Sequence, residues 1–181
     1  MESRAKLLGH PIHPMLIVFP LGLLVTAVVF DVVRMITGDA TFAAVAFWCI
    51  AAGIIGGLLA AVFGLVDWLA IPAGTRAKTL GMWHGLGNVV VVALFAVSWL
   101  QRRGDPALVP DAAAFALALV GVALGAVTGW LGGELVDRLG VGVDPGANLN
   151  APSSLSGLPA DANLGATRPQ EEAPRAREVG S

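Results

Sequence analysis

The chain has 181 residues, 56% of them hydrophobic and only 13% charged, with three histidines, one cysteine and a formal net charge of −2. Its mean hydropathy is +0.76, whereas a soluble domain averages about a quarter charged residues. Nucleic-acid binding wants a basic face, which this balance does not supply, and a single cysteine excludes an intrachain disulfide and a cysteine metal cluster.

Spanning the hydrocarbon core of a bilayer takes about 20 apolar residues in a helix, and four stretches approach or exceed that length. The first follows Gly9-His10-Pro11-Ile12-His13-Pro14 and runs over residues 12–36, broken late by Asp31 and Arg34. Its apolar length and the lack of a small-residue cleavage pattern after it argue for a retained helix over a signal peptide. Pro20 removes the hydrogen bond to the Leu16 carbonyl, so a kink is expected one turn beyond His13. Asp31 and Arg34 stand three residues apart and read as a local interfacial pair.

The second stretch covers 41–70 and carries Gly53, Gly57, Ala60 and Gly64; Cys49 lies inside it and reads as inert packing. The third covers 79–101 and contains His84 and Asn88, one turn apart. The fourth covers 112–137 and carries Gly121, Gly125, Gly129 and Gly133, four residues apart throughout. Small residues at that spacing let helix backbones approach closely in lipid, so both series are expected at helix contacts, with a homodimer contact or a cofactor wall as the other readings. From residue 144 to 181 the chain turns rich in Pro, Gly, Ala, Asn and Ser, a composition that predicts a disordered tail. The expected architecture is all-α: a four-helix transmembrane bundle, up-down-up-down, over residues 1–143, followed by that tail.

Short connections force neighbouring helices antiparallel. The start of the first span, the end of the second, the start of the third and the end of the fourth then share one face, the near face. Arg4, Lys6, Arg76, Lys78 and Arg138 flank it, against Arg34, Arg102 and Arg103 on the far side. The positive-inside rule reads this as a multi-pass inner-membrane protein with both termini cytoplasmic.

Ionisable residues within spans are functional candidates by default. His10, His13, Asp67, His84 and Glu134 all fall at the near face. Pro11 and Pro14 restrain the two histidines that precede them, and neutral imidazole is the commonest metal ligand. The candidate cofactor-binding residues are therefore His10, His13, His84 and Asn88, with Asn88 orienting a ligating ring. The candidate metal set is His10, His13, His84, Asp67 and Glu134. Haem b is the first cofactor expectation and a divalent transition metal the second. A structural polar network without cofactor, in a scaffold or assembly subunit, is the alternative. Covalent haem attachment is excluded because no Cys-x-x-Cys-His occurs. No nucleophile–base pair, phosphate loop or hydrolase motif assigns an enzymatic activity.

Gly9-His10-Pro11-Ile12-His13-Pro14-Met15-Leu16, Gly64-Leu65-Val66-Asp67-Trp68, Trp83-His84-Gly85-Leu86-Gly87-Asn88 and Gly129-Trp130-Leu131-Gly132-Gly133-Glu134-Leu135-Val136 resemble a bacterial family of four-helix membrane proteins of unknown function, the domain of unknown function 2231 type. The resemblance covers about residues 7 to 143. It implies four spans and no established activity. Some relatives are joined to Rieske iron–sulfur or cytochrome-like modules, which implies a redox partner and an electron-transfer setting. Relatives often carry a histidine where Val18 stands, and Tyr-x-His where this chain reads Asp137-Arg138-Leu139.

Overall fold

The computed structural model describes residues 1–162. Two short strands, β1 (Lys6–Leu7) and β2 (His10–Pro11), pair antiparallel ahead of the helices. The helices are α1 (Ile12–Leu16), α2 (Val18–Thr37), α3 (Thr41–Ala70), α4 (Arg76–Arg102) and α5 (Ala112–Gly133), the last continuing into a π-helical turn, Glu134–Arg138. They make four helical segments long and apolar enough to cross a membrane: Ile12–Thr37, Thr41–Ala70, Arg76–Arg102 and Ala112–Arg138. The chain divides into two units, Met1–Val143 and a second beginning at Asp144. In the second, Ser154–Ser156 forms a 3₁₀ turn and the Asn148 side-chain amide donates to the Gly146 and Ala160 carbonyls. The expected disorder of residues 163–181 lies outside the described residues.

Local chemistry sets the helix ends. The first span breaks at Ile17, between α1 and α2, where Pro20 cannot donate to the Leu16 carbonyl. Gly38 ends α2 in the left-handed conformation at φ 75°, donating to the Arg34 carbonyl. Asp39 accepts from the Thr41 N–H at 2.8 Å, which holds its carboxyl below the usual carboxylate range. The third span starts at Arg76 rather than at the expected 79, because the Thr75 hydroxyl accepts the Lys78 N–H and caps the helix. Asp111 caps α5 through the Ala114 N–H at 2.7 Å.

The core lies between the helices and is built from Leu24, Ala27, Val28, Ala46, Ile50, Val91, Phe95 and Ala118. The outward faces carry Val, Leu and Ile in the open, among them Val29, Leu58, Val89 and Val120. That is the surface lipid covers, since hydrocarbon replaces water there.

At the far end of the bundle, Asp31 and Arg102 are fully buried. The guanidinium grips the carboxylate through both arms, Nη1 to Oδ1 at 2.7 Å and Nη2 to Oδ2 at 2.6 Å. Ser98 accepts from Arg102 Nε and donates to the Ala114 carbonyl, so the pair ties α2, α4 and α5 together. The expected Asp31–Arg34 pair is therefore corrected. An i, i+3 pair contributes only a few tenths of a kcal/mol. A bidentate partner on a facing helix satisfies both carboxylate oxygens away from water.

The two glycine series behave differently. In α3, Gly53 lies against Leu24, Gly57 against Val92 and Pro20, and Gly64 against the His13 ring. Of the four α5 glycines in the series, Gly121 does this, against Phe95, whereas Gly125, Gly129 and Gly133 face open space. The expectation that the whole α5 series packs inside the bundle is corrected by helix geometry. A step of four residues overshoots one turn by about 40°, so three such steps wind the series off its face. The α3 series steps by four, three and four, close to three whole turns, and stays on one side.

Substituting Gly53 with Leu is expected to lower the melting temperature of the detergent-solubilised protein sharply, because an added Cβ alone meets Leu24 Cδ2 at 2.6 Å. Gly129→Leu should melt within a degree or two of the parent, as surface changes do. Equal losses in the two variants would contradict this packing.

Candidate functional site: two pinned imidazoles

The near end of the bundle brings His13 and His84 together. Their ring centroids are 6.2 Å apart and the planes meet at 83°. Each ring is pinned in the same way. His13 Nδ1 lies 2.8 Å from the Ala60 carbonyl oxygen on α3, and His84 Nδ1 lies 2.8 Å from the Thr128 carbonyl oxygen on α5. A carbonyl only accepts, so Nδ1 carries a proton in both rings, and at His84 the Asn88 amide nitrogen beside Nε2 leaves the lone pair there. Both contacts need a glycine one turn further along the receiving helix. A Cβ on Gly64 would sit 2.9 Å from His13 Nδ1 and Cε1, and one on Gly132 would sit 3.1 Å from His84 Cε1. The motif Gly64-Leu65-Val66-Asp67-Trp68 thus begins with one residue that admits a ring, and the motif that starts at Gly129 contains the other, Gly132.

Asn88 stands one turn beyond His84, as its spacing implied. Its amide donates to the His84 carbonyl at 2.8 Å and lies 3.3 Å from His84 Nε2, while its Oδ1 accepts from the Thr128 hydroxyl at 3.1 Å. His84 Nε2 is therefore covered by an amide, whereas no hydrogen bond to His13 Nε2 is formed among the described residues. Thr128 was not among the sequence candidates. Its spacing of forty residues from Asn88 carries no signal in one dimension.

The remaining candidates serve other contacts. Asp67 accepts from the Ser3 hydroxyl at 2.8 Å on both oxygens and from the Arg4 and Ala5 N–H groups at 2.7 and 3.3 Å, which staples the segment before β1 onto α3. Glu134 pairs with Arg76 at 2.8 Å, joining the near ends of α4 and the fourth span. His10 is exposed in β2 and registers against Leu7. Among the described residues no group of three or more His, Cys, Asp or Glu side chains is placed to hold a metal ion. Of the five candidate metal residues, His13 and His84 come together, whereas Asp67 lies against Ser3 and the Arg4 N–H, Glu134 against Arg76, and His10 in β2. Both Asp67 oxygens accept hydrogen bonds and Glu134 Oε2 accepts from Arg76, so each carboxylate already has a partner of its own.

The tautomers are open to measurement. Nitrogen-15 NMR of histidine-labelled protein should show protonated Nδ1 and unprotonated Nε2 for both His13 and His84 at neutral pH. Gly64→Ala should shift the His13 signals and leave those of His84 in place. Signals from Nε2–H rings would contradict the pinning.

Residues 9–145 match the model of a family described as "Predicted membrane protein (DUF2231)". No curated protein and no solved structure matches the chain. The matched segment takes in the His-Pro motif, all four spans and both pinned histidines, and the chain belongs to this DUF2231 family of membrane proteins.

Proposed function

We propose that His13 and His84 are the two protein ligands of one metal-centred cofactor at the near end of the bundle, with haem b as its class, and that the protein serves electron transfer in the membrane. One observation carries the reading: two imidazoles from different helices, each with Nδ1 fixed by a backbone carbonyl, lie with ring centroids 6.2 Å apart and planes at 83°. Two metal–nitrogen bonds of about 2 Å, together with the radius of each ring, span about 6 Å. A carbonyl on the far nitrogen is also the arrangement that orients a ligating histidine and raises its basicity.

The number of ligands separates haem from a bare ion. Zinc takes three or four protein ligands, and here only two imidazoles converge, with Asp67 and Glu134 held elsewhere. A haem brings four nitrogens of its own, so two protein ligands would suffice, and His13 and His84 would hold it. When bound, it supplies one-electron exchange. His13 would offer its Nε2 directly. His84 would do so once the Asn88 amide, already bonded to the His84 carbonyl, turns away from Nε2.

The loop charges support an inner-membrane placement with both termini in the cytoplasm, which puts the histidines near the cytoplasmic face. Arg102, buried against Asp31, leaves Arg34 and Arg103 as the far-side cations. Closure of Asn88 over His84 Nε2 favours one competing reading, a scaffold in which the histidines only cross-link helices.

Absorption spectra of the protein purified in detergent from haem-replete cells, before and after dithionite, separate the two. A Soret band with sharp reduced α and β bands is expected, lost in His13→Ala and in His84→Ala and retained with a changed potential in Asn88→Ala. Protein purified without haem, with both alanine variants folding like the parent, would leave the scaffold reading in place.

A further inference from the structure

We infer that the membrane unit is built from two copies of one two-helix hairpin, packed about a pseudo-two-fold axis along the bundle, and that the Asp31–Arg102 pair is the key that holds copy to copy and keeps His13 opposite His84. The contacts of the first hairpin (α1, α2 and α3) recur in the second (α4 and α5) at a constant shift for each helix. His13 corresponds to His84, Leu24 to Phe95 and Asp31 to Arg102, each 71 positions on. Gly53 corresponds to Gly121, Ala60 to Thr128 and Gly64 to Gly132, each 68 positions on. The partnerships then map onto one another. His13 reaches the Ala60 carbonyl beside Gly64, as His84 reaches the Thr128 carbonyl beside Gly132. Leu24 fills the space at Gly53, as Phe95 fills that at Gly121. The fully buried Ala46 of α3 matches the fully buried Ala114 of α5, and Ile50 matches Ala118.

Two contacts fix the axis. A residue can touch its own equivalent only where a two-fold axis passes, and this happens twice. His13 faces its equivalent His84 at the near end, and Asp31 grips its equivalent Arg102 at the far end. Eighteen residues separate the two points on each helix, about 27 Å of rise, so the axis runs the length of the bundle. A charged pair at the axis gives the assembly a polarity that an apolar contact lacks. Two hairpins bearing aspartate there repel, as do two bearing arginine; one of each is fully satisfied. The copies also diverge beside the histidines. Asn88 and Thr128 occupy the positions of Ile17 and Ala60, so only the second copy covers its own Nε2. This inference is independent of what the histidines bind.

Charge exchange in the full-length chain tests it, read as folded yield and melting temperature in detergent. Asp31→Arg alone and Arg102→Asp alone are each expected to cost most of the folded yield. The double exchange Asp31→Arg with Arg102→Asp should recover at least half of the parent yield, and more when Ala27→Ser and Ser98→Ala move the serine along with the guanidinium. A milder pair guards against general misfolding: Leu24→Phe with Phe95→Leu together should melt closer to the parent than either alone. Double exchanges no better than the single ones would overturn the two-fold relation. Single reversals that fold like the parent would overturn the role of the ion pair.

Discussion

One buried ion pair organises the far half of this bundle. Where water cannot solvate them, Asp31 and Arg102 satisfy each other through both carboxylate oxygens and both guanidinium arms, and Arg102 Nε donates to Ser98. Removing one partner of such a pair leaves a buried charge uncompensated, at a cost of about 3–5 kcal/mol. The pair therefore dictates the relation between the first and third spans, and through Ser98 and the Ala114 carbonyl it extends to the fourth. The apolar core around it, Leu24, Phe95, Ile50 and Ala118, is free to be smooth and small because register is already set by charge.

The near half uses a different device for the same end. Imidazole N–H groups donate across the interface to helix carbonyls that already belong to backbone ladders, and glycines beside those carbonyls make the approach sterically open. Interhelical polar contacts in lipid contribute modestly, about 0.6 kcal/mol each on average. Their value here is geometric, because they fix two rings with centroids 6.2 Å apart. The carboxylates at the same end act as fasteners. Asp67 holds the segment ahead of β1 and Glu134 holds Arg76, while the two histidine rings meet each other.

The asymmetry between the hairpins bears on chemistry. If each half had kept an apolar residue where Asn88 stands, both Nε2 lone pairs would be equally exposed. The polar chain from Thr128 through Asn88 to His84 makes one ring a supported partner and the other an open one.

By itself the sequence determined the four spans, their antiparallel order and the face at which His13, His84, Asp67 and Glu134 gather. Hydropathy and loop length act locally along the chain and need no knowledge of neighbours. It also located the break near Pro20, since proline's missing donor is a property of one residue. Tertiary structure alone decided the partners. Asp31 has Arg34 within one turn, yet it binds Arg102, 71 residues away, because helix packing presents a complete fork from the facing helix. The α5 glycines match a packing motif as well as those of α3, yet most face outward, since only rotation about the helix axis says which side meets a neighbour. The partners of Asp67 and Glu134 were hidden for the same reason. Charge and depth can be read along a chain, whereas the direction of a side chain and the atom it meets depend on the rotation and offset of each helix against the others.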